Sequence, residues 1–364
     1  MKLLSLLHRW SGGFLGLLLA LLGLTGTILL WEAEWVSLPG AHAPLVEQVE
    51  TIGRIAEREA AAGATRITFA SDEIGLHLVA RGGESGAYVA QDGTTVASWQ
   101  SEWERPELWI FDLHHHLFSG HNGELATGWA GVFGLLFVIT GSILWWRSRR
   151  AFRWRLLPAK WKPGPVVAHH RDIGIIVAPL LLVSFVTGIG MIFDDATKWV
   201  LSPFGTIEQK KPPEVEPATG TAPVAPMLRD AKERFPDAAL RRLTIPSKPG
   251  QAYSVRVRQP FEWTPNGRTT LFFDGQGKFL RVDDPATGSE ASSINEKLYP
   301  IHTAKTGSLI WKLLMTLSGI GLTILGSLAT WSFWIRKAKR TPPRRVHVGI
   351  EPALATAEER SRSA

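Results

Sequence analysis

The chain contains no cysteine in its 364 residues. Disulfides, cysteine-held zinc and four-cysteine iron–sulfur clusters are therefore excluded, and any metal must be held by His, carboxylate, Met or Tyr. Also missing is a G-x-G-x-x-G stretch set between a strand and a helix, so the chain carries no such signature for NAD or flavin. The long apolar runs hold almost no ionisable residue at mid-depth, where a transport pathway would be expected to show one. What the sequence does have is segregation, because a hydrophobic fraction of 45% is divided between very apolar runs and ordinary polar stretches.

Four of those runs are long enough to cross a bilayer, which takes about 20 residues at ~1.5 Å rise each. The expected organisation is a first helix ending at 31 (1–31), an outside segment (32–126), a second helix (127–146), a short basic loop (147–172), a third helix (173–193), a second outside segment (194–308), a fourth helix (309–335) and a basic tail (336–364). "AHA" at 41–43 resembles a signal cleavage site. The preceding apolar run is longer than a usual signal h-region, however, and the first helix is expected to be retained. Basic residues cluster before helix one (Lys2, Arg9), between helices two and three (Arg147 to Arg171) and after helix four (Arg336 to Arg345). The positive-inside rule puts all three groups and both termini in the cytoplasm. The net charge of +7 thus marks topology and contact with anionic lipid headgroups, not nucleic acid.

The chain repeats its own plan. "LHRWSGG" leads into helix one and "HHRDIG" into helix three, with His8 to Gly26 spaced as His170 to Gly188; "VITGSILWW" in helix two echoes "TILGSLATW" in helix four. Each outside segment reads as an amphipathic helix followed by strands, with hairpin turns at Asp92-Gly93 and Asp274-Gly275. A Pro-rich linker, "KKPPEVEPATGTAPVAP", reads as extended or mobile, and the tail from "RTPPRR" to Ala364 as disordered.

The eleven histidines sort by depth. His8 stands at the cytoplasmic mouth of helix one, and His169 and His170 at that of helix three. His114, His115, His116 and His121 stand at the outer mouth of helix two, and His302 at that of helix four; His42, His77 and His347 lie away from the helices. A lone histidine at an interface is more often a polar boundary residue than a ligand, and glycines in membrane helices more often serve close packing. The repetition across four helices, matched at both faces, favours ligation. A membrane four-helix bundle with inward histidine pairs suits b-type haem, with two imidazoles filling both axial positions and favouring electron transfer over oxygen binding. A zinc or copper site within "HHHLFSGH" is a competing reading; it leaves His8, His170 and His302 without a role.

The motifs resemble the PepSY-associated transmembrane-helix proteins, iron-regulated membrane proteins of Gram-negative bacteria. "LHRWSGGFLG", "LHHHLFSGHNG", "HRDIG" and "IHTAKTG" look like that family's approaches to its four helices, and the likeness covers nearly the whole chain. The resemblance implies an α-helical membrane protein: a haem-binding bundle of four transmembrane helices, two small periplasmic α+β PepSY-like modules and an internal two-fold repeat. Similarity to the siderophore reductases of the FoxB type implies two b haems and reduction of a ferric siderophore in the periplasm. His8 and His170 would hold the inner haem iron, and His114 and His302 the outer. His115 is a rival for His114 because the run has three adjacent histidines; His169 is a rival for His170.

The expected function is therefore that of an inner-membrane, haem-dependent ferric-siderophore oxidoreductase, supplied with electrons by quinol or a separate reductase and serving iron release. Two other classes compete: a PepSY membrane protein that binds peptides or regulates a neighbour, and an iron-chelate transporter.

Overall fold

The computed structural model describes residues 1–155, 157–208, 211–216 and 222–340. The tail expected to be disordered lies outside the described residues from 341 on.

Among the described residues four helices are long and apolar enough to cross a membrane. They are α1 (Lys2–Leu30), α5 (Gly120–Ser148), α6 (Pro163–Ile192) and α10 (Leu309–Arg340). Their outward faces carry exposed apolar side chains such as Phe14, Leu17, Phe133, Leu136, Val186 and Leu317. A water-facing helix would place polar groups there; these faces suit lipid. Inside the bundle, Leu19, Ala130, Val177, Leu181, Phe185 and Leu325 form a small core.

Glycine sets how closely the helices approach. A Cβ on Gly16 would lie 2.7 Å from the Gly326 carbonyl oxygen, and one on Gly23 would lie 2.7 Å from that of Gly319. Backbone therefore meets backbone along α1 and α10, the small-residue packing that membrane helices use where the hydrophobic effect gives no drive to associate.

Among the described residues all strands fall in the two segments between the membrane-crossing helices α1 and α5 and α6 and α10, and so lie at one end of the bundle. They are β1 (Ala64–Thr68), β2 (Leu76–Arg81), β3 (Gly86–Ala90), β4 (Thr95–Trp99), β5 (Ala239–Thr244), β6 (Tyr253–Arg258), β7 (Thr269–Phe273) and β8 (Phe279–Asp283). They form one eight-stranded sheet in the order β4-β3-β2-β1-β5-β6-β7-β8. The reading of two separate outside segments thus becomes one continuous sheet, joined by antiparallel pairing of β1 with β5, Ile67 opposite Leu243. Pairing closes two edges that would otherwise be exposed.

One sheet face is covered by α3 (Val49–Ala61) and α8 (Val224–Arg234). Its core includes Ile52, Ile55, Ile67, Val79, Val89, Met227, Leu228, Leu243, Val255, Leu271 and Phe273. Gly53 lets the two helices touch: a Cβ there would be 2.8 Å from Ala225 Cα. Part of the Pro-rich linker is pinned, since Glu214 bridges to Gln251 and the Val215 amide donates to the Gly250 carbonyl at 3.1 Å. Residues 209–210 and 217–221 of the linker and its approach lie outside the described residues.

Among the described residues there are four further, shorter α-helices: α2 (Glu32–Trp35), α4 (Pro106–His116), α7 (Asp194–Leu201) and α9 (Glu290–His302). α4 and α9 matter most, because they link the sheet to the bundle and end on histidines.

Candidate functional site

His114 and His302 do not sit on the membrane helices that follow them. His114 is in the last turn of α4, and Leu117, Phe118 and Ser119 separate α4 from α5; Leu117, Phe118 and the first residue of α5, Gly120, all have positive φ. That reversal folds α4 back beside the bundle and brings His114 against α1. His302 is the last residue of α9, and Ala304 and Gly307, again with positive φ, separate it from α10.

All four histidines share one arrangement. His114 Nδ1 lies 2.9 Å from the Thr25 hydroxyl. That hydroxyl donates to the Leu21 carbonyl at 2.9 Å, so its oxygen is left to accept the imidazole proton. His302 Nδ1 donates to the Ser184 carbonyl at 3.1 Å and meets the Thr187 hydroxyl at 3.0 Å. His8 Nδ1 lies 2.8 Å from the Thr140 hydroxyl, whose own proton goes to the Leu136 carbonyl at 2.7 Å. His170 Nδ1 donates to the Leu325 carbonyl at 3.2 Å. In each ring the proton is thereby assigned to Nδ1, leaving the Nε2 lone pair free. Fixing the second ring nitrogen in this way is how proteins orient a metal-binding imidazole and set its tautomer.

The glycines beside these threonines make room for the rings. A Cβ on Gly26 would be 2.9 Å from His114 Cε1, one on Gly188 3.1 Å from His302 Cε1, and one on Gly141 3.4 Å from His8 Cε1. Thr-Gly is therefore a two-part cradle, with hydroxyl for Nδ1 and open space for the ring. The spacing pattern of the sequence contained this signal, but it pointed to His8 with Gly26 and His170 with Gly188 along the same helix. The structure crosses them over: Thr25-Gly26 receives His114, Thr140-Gly141 receives His8, and Thr187-Gly188 receives His302. Helix α10 has leucine where the others have threonine, and the Leu325 carbonyl takes the role.

His8 and His170 face one another at the end of the bundle away from the sheet, with ring centroids 6.4 Å apart and planes at 75°. Two metal–imidazole bonds of about 2 Å each, with a ring radius at either end, span about that distance. The pair opens on a cavity of about 680 Å³ lined by Gly12, Gly16, Phe137, Gly141, Trp145 and Phe185 among others. Trp145 Nε1 is buried with no partner, and Arg9, Arg171 and Arg336 also line the cavity. An apolar chamber with two free imidazole nitrogens, an unanswered N–H and guanidinium groups fits a flat metal-bearing macrocycle with anionic substituents.

At the sheet end, burial holds the His114 imidazole down to about 3, with His302 and His115 adding to the effect. Burial lowers His302 as well. Both rings are thus neutral, as ligation requires.

The three adjacent histidines separate by direction. His115 Nδ1 lies 2.9 Å from His116 Nε2, His116 Nδ1 lies 2.7 Å from Asp112 Oδ1, and His121 Nδ1 lies 3.2 Å from Glu124 Oε2. Asp112, His116 and His115 make a chain beside the bundle while His114 enters it. His169, the rival to His170, turns away from the main cavity into a smaller one of about 260 Å³ with Arg153, Arg155 and Asp172. Among the described residues no group of three or more His, Asp or Glu side chains is placed to hold a bare metal ion; the zinc or copper reading of "HHHLFSGH" finds no support.

Four membrane-crossing helices, with an antiparallel sheet packed at one end, define a multi-pass membrane protein. The chain belongs to the family of the PepSY-associated TM region, whose model matches residues 5–337. Membership suggests an iron-regulated membrane protein. No curated protein matches the chain.

Proposed function

We propose that the chain is a di-haem b oxidoreductase of the bacterial inner membrane. In this reading it carries electrons from quinol or a separate reductase across the bilayer and reduces Fe(III) held by a siderophore. The observation that carries it is the common tether: four half-buried histidines, two at each end of the bundle, each with Nδ1 bonded and Nε2 free. Bound haem would supply one-electron redox chemistry. His8 and His170 would hold one iron, and His114 and His302 the other.

The chain's own groups do the rest. Thr25, Thr140, Thr187 and the Leu325 carbonyl keep the four rings neutral and aimed. The apolar lining of the larger cavity excludes water, and Arg9, Arg171 and Arg336 offer charge to carboxylates at its rim. The basic residues at the far end from the sheet support a cytoplasmic position for that end and a periplasmic one for the sheet, as the positive-inside rule requires. Release of iron follows from reduction, since a hard anionic chelator holds Fe(II) less tightly than Fe(III).

The test is optical. Protein purified from haem-replete cells should be red, with a Soret band that shifts on dithionite and returns on adding a ferric siderophore. A colourless preparation sinks the reading. His170→Ala and His302→Ala should each lower the haem content, and unchanged content in both would refute the ligand assignment.

A further inference from the structure

The sheet face opposite α3 and α8 is unlike in its two halves. In the first half it is apolar: Tyr88 and Trp99 pack with Ala41 and Leu76, and Leu78 and Leu108 lie against them. In the second half it is cationic. Arg242 on β5 stands directly opposite Arg256 on β6. Arg66 lies on the same face, two residues before Thr68, which is Arg242's partner across β1. Arg268, just before β7, completes the group, and both it and Arg66 act on Arg242 electrostatically.

Like charges directly opposite in a sheet are destabilising. Among the described residues Arg66, Arg242, Arg256 and Arg268 form no ion pair, whereas arginines elsewhere do, as Arg81 with Glu59 at 2.6 Å and Arg105 with Glu107 at 2.7 Å; Glu262 and Glu296 act on the group only at longer range. Arg242 Nε and Arg268 Nε are buried with no hydrogen-bond partner. Burial, then Arg256 and Arg66, push the Arg242 guanidinium down to about 10. Glu262, the buried acid beside Arg256 and Arg268, is already committed, accepting from the Gln259 and Thr269 amides, the Thr269 hydroxyl and the Arg268 amide. Glu296 on α9 feels Arg268 as well, but is itself raised, chiefly by burial. Aliphatic stems that pack while their heads reach water are the ordinary explanation for surface arginines. Buried Nε–H groups without partners are not accounted for in that way, because a buried donor left unpaired keeps its full desolvation cost.

The cluster also has a location. Tyr299 on α9 lies within electrostatic reach of Arg242, and His302 follows Tyr299 by one helical turn, a rise of roughly 4.5 Å. A ligand on the arginines would therefore sit beside the helix that ends on the sheet-side histidine pair.

We propose that Arg66, Arg242, Arg256 and Arg268 form a binding site for anionic ferric chelates whose carboxylate or catecholate oxygens face outward. This deepens the reductase reading and rests on it for the fate of the iron, but the binding step does not depend on haem. Guanidinium forks match paired oxygens bidentately, so the site favours negatively charged chelates over cationic trihydroxamates.

The experiment uses the full chain in detergent and gallium(III) citrate, a redox-inert anionic stand-in, with the cationic gallium(III) complex of the trihydroxamate desferrioxamine B as contrast, both followed by calorimetry. Gallium citrate should bind about tenfold or more tightly than the cationic complex, weaken as salt is raised, and lose about tenfold in the Arg242→Gln/Arg256→Gln double variant. Arg66→Gln, at an exposed position, should weaken binding in the same direction should the double variant fold poorly. Equal affinity for the two gallium complexes, or no loss in Arg66→Gln and the folded double variant, overturns the proposal. A colourless protein that still binds gallium citrate through these arginines would refute the reductase and leave the anion site standing; a red protein that ignores gallium citrate would do the reverse.

Discussion

The Thr25 hydroxyl accepts the Nδ1 proton of His114 at 2.9 Å, although the two residues stand 89 positions apart. The bond joins the first membrane helix to the last turn of a helix that belongs to the sheet end. It fixes which ring nitrogen is free, which of three adjacent histidines enters the bundle, and how α4 is oriented against α1.

Thr25→Val keeps the shape of the side chain and removes the acceptor. The ring N–H of His114 then keeps only the Leu22 carbonyl as an acceptor, and a net hydrogen bond of about 0.5–1.5 kcal/mol is lost. Titrating haem-free protein with haem should show one of two equivalents binding about 10–100-fold more weakly, the usual effect of losing such a tether, while Thr25→Ser retains both. Two equivalents of unchanged affinity in Thr25→Val would show that the hydroxyl has no such role.

Space matters as much as the tether. A Cβ at Gly188 would meet His302 Cε1 at 3.1 Å, so alanine demands a small shift and valine a large one; at Gly141 the same atom would lie 3.4 Å from His8, an ordinary contact. Gly188→Val should remove one haem equivalent, Gly188→Ala should weaken it, and Gly141→Ala should leave both in place, all read from Soret absorbance per protein. Equal haem content in Gly188→Val and Gly141→Ala would rule out the cradle.

Much of this was legible in the sequence. Apolar runs of about 20 residues identify membrane helices because the bilayer permits little else. Strand alternation and the Asp-Gly turns placed the hairpins, although the positive φ falls on Gly93 in the first and on Gly277 rather than Gly275 in the second. His8, His170, His114 and His302 stood out because they recur with their neighbours. Three things were not legible. Pairing of β1 with β5 is a contact between segments far apart in sequence, and period-two patterning says which face is buried but not which strand lies next door. The crossing of Thr-Gly pairs to histidines of other helices is likewise tertiary, as is the breaking of α4 from α5. The arginine face was hidden for the same reason: Arg66, Arg242, Arg256 and Arg268 look like scattered surface charges until cross-strand register collects them.

His77 gives a pH dependence independent of any cofactor. It is 2% exposed on β2; its Nδ1 accepts the Ala70 amide proton at 3.0 Å. Burial pushes the imidazole down to about 4. The unfolded chain takes up a proton near pH 6.5 that the folded chain refuses until about pH 4, so stability is intact above 6.5 and falls as pH drops between those values. The full difference is on the order of 3 kcal/mol. Melting temperature should therefore fall less between pH 7.5 and 4.5 in His77→Gln than in the natural protein. Parallel pH profiles would mean that His77 titrates normally.

The glycine seam between α1 and α10 should be the most sensitive packing site. Gly326 lies against the Gly16 carbonyl oxygen and Ala20 N, with no room for a Cβ, whereas a Cβ on Gly12 would meet Ala329 Cβ at a comfortable 3.9 Å. Trp334 Nε1 donates to the Gly13 carbonyl at 3.1 Å across the same seam and closes it at the far end. Gly326→Leu must force the helices apart, and overpacking of this kind costs about 1–3 kcal/mol. The effect should not stop at stability. His8 rides on α1, and His170 is tethered to the Leu325 carbonyl, one residue from the substitution. Separating the helices should therefore weaken haem at the His8–His170 pair while sparing the His114–His302 pair, whose tethers lie on Thr25 and Thr187. The expected outcome is a lower melting temperature with selective loss of one haem equivalent in Gly326→Leu, and neither change in Gly12→Ala. Loss of both equivalents together would mean that the two ends of the bundle are coupled through more than this seam.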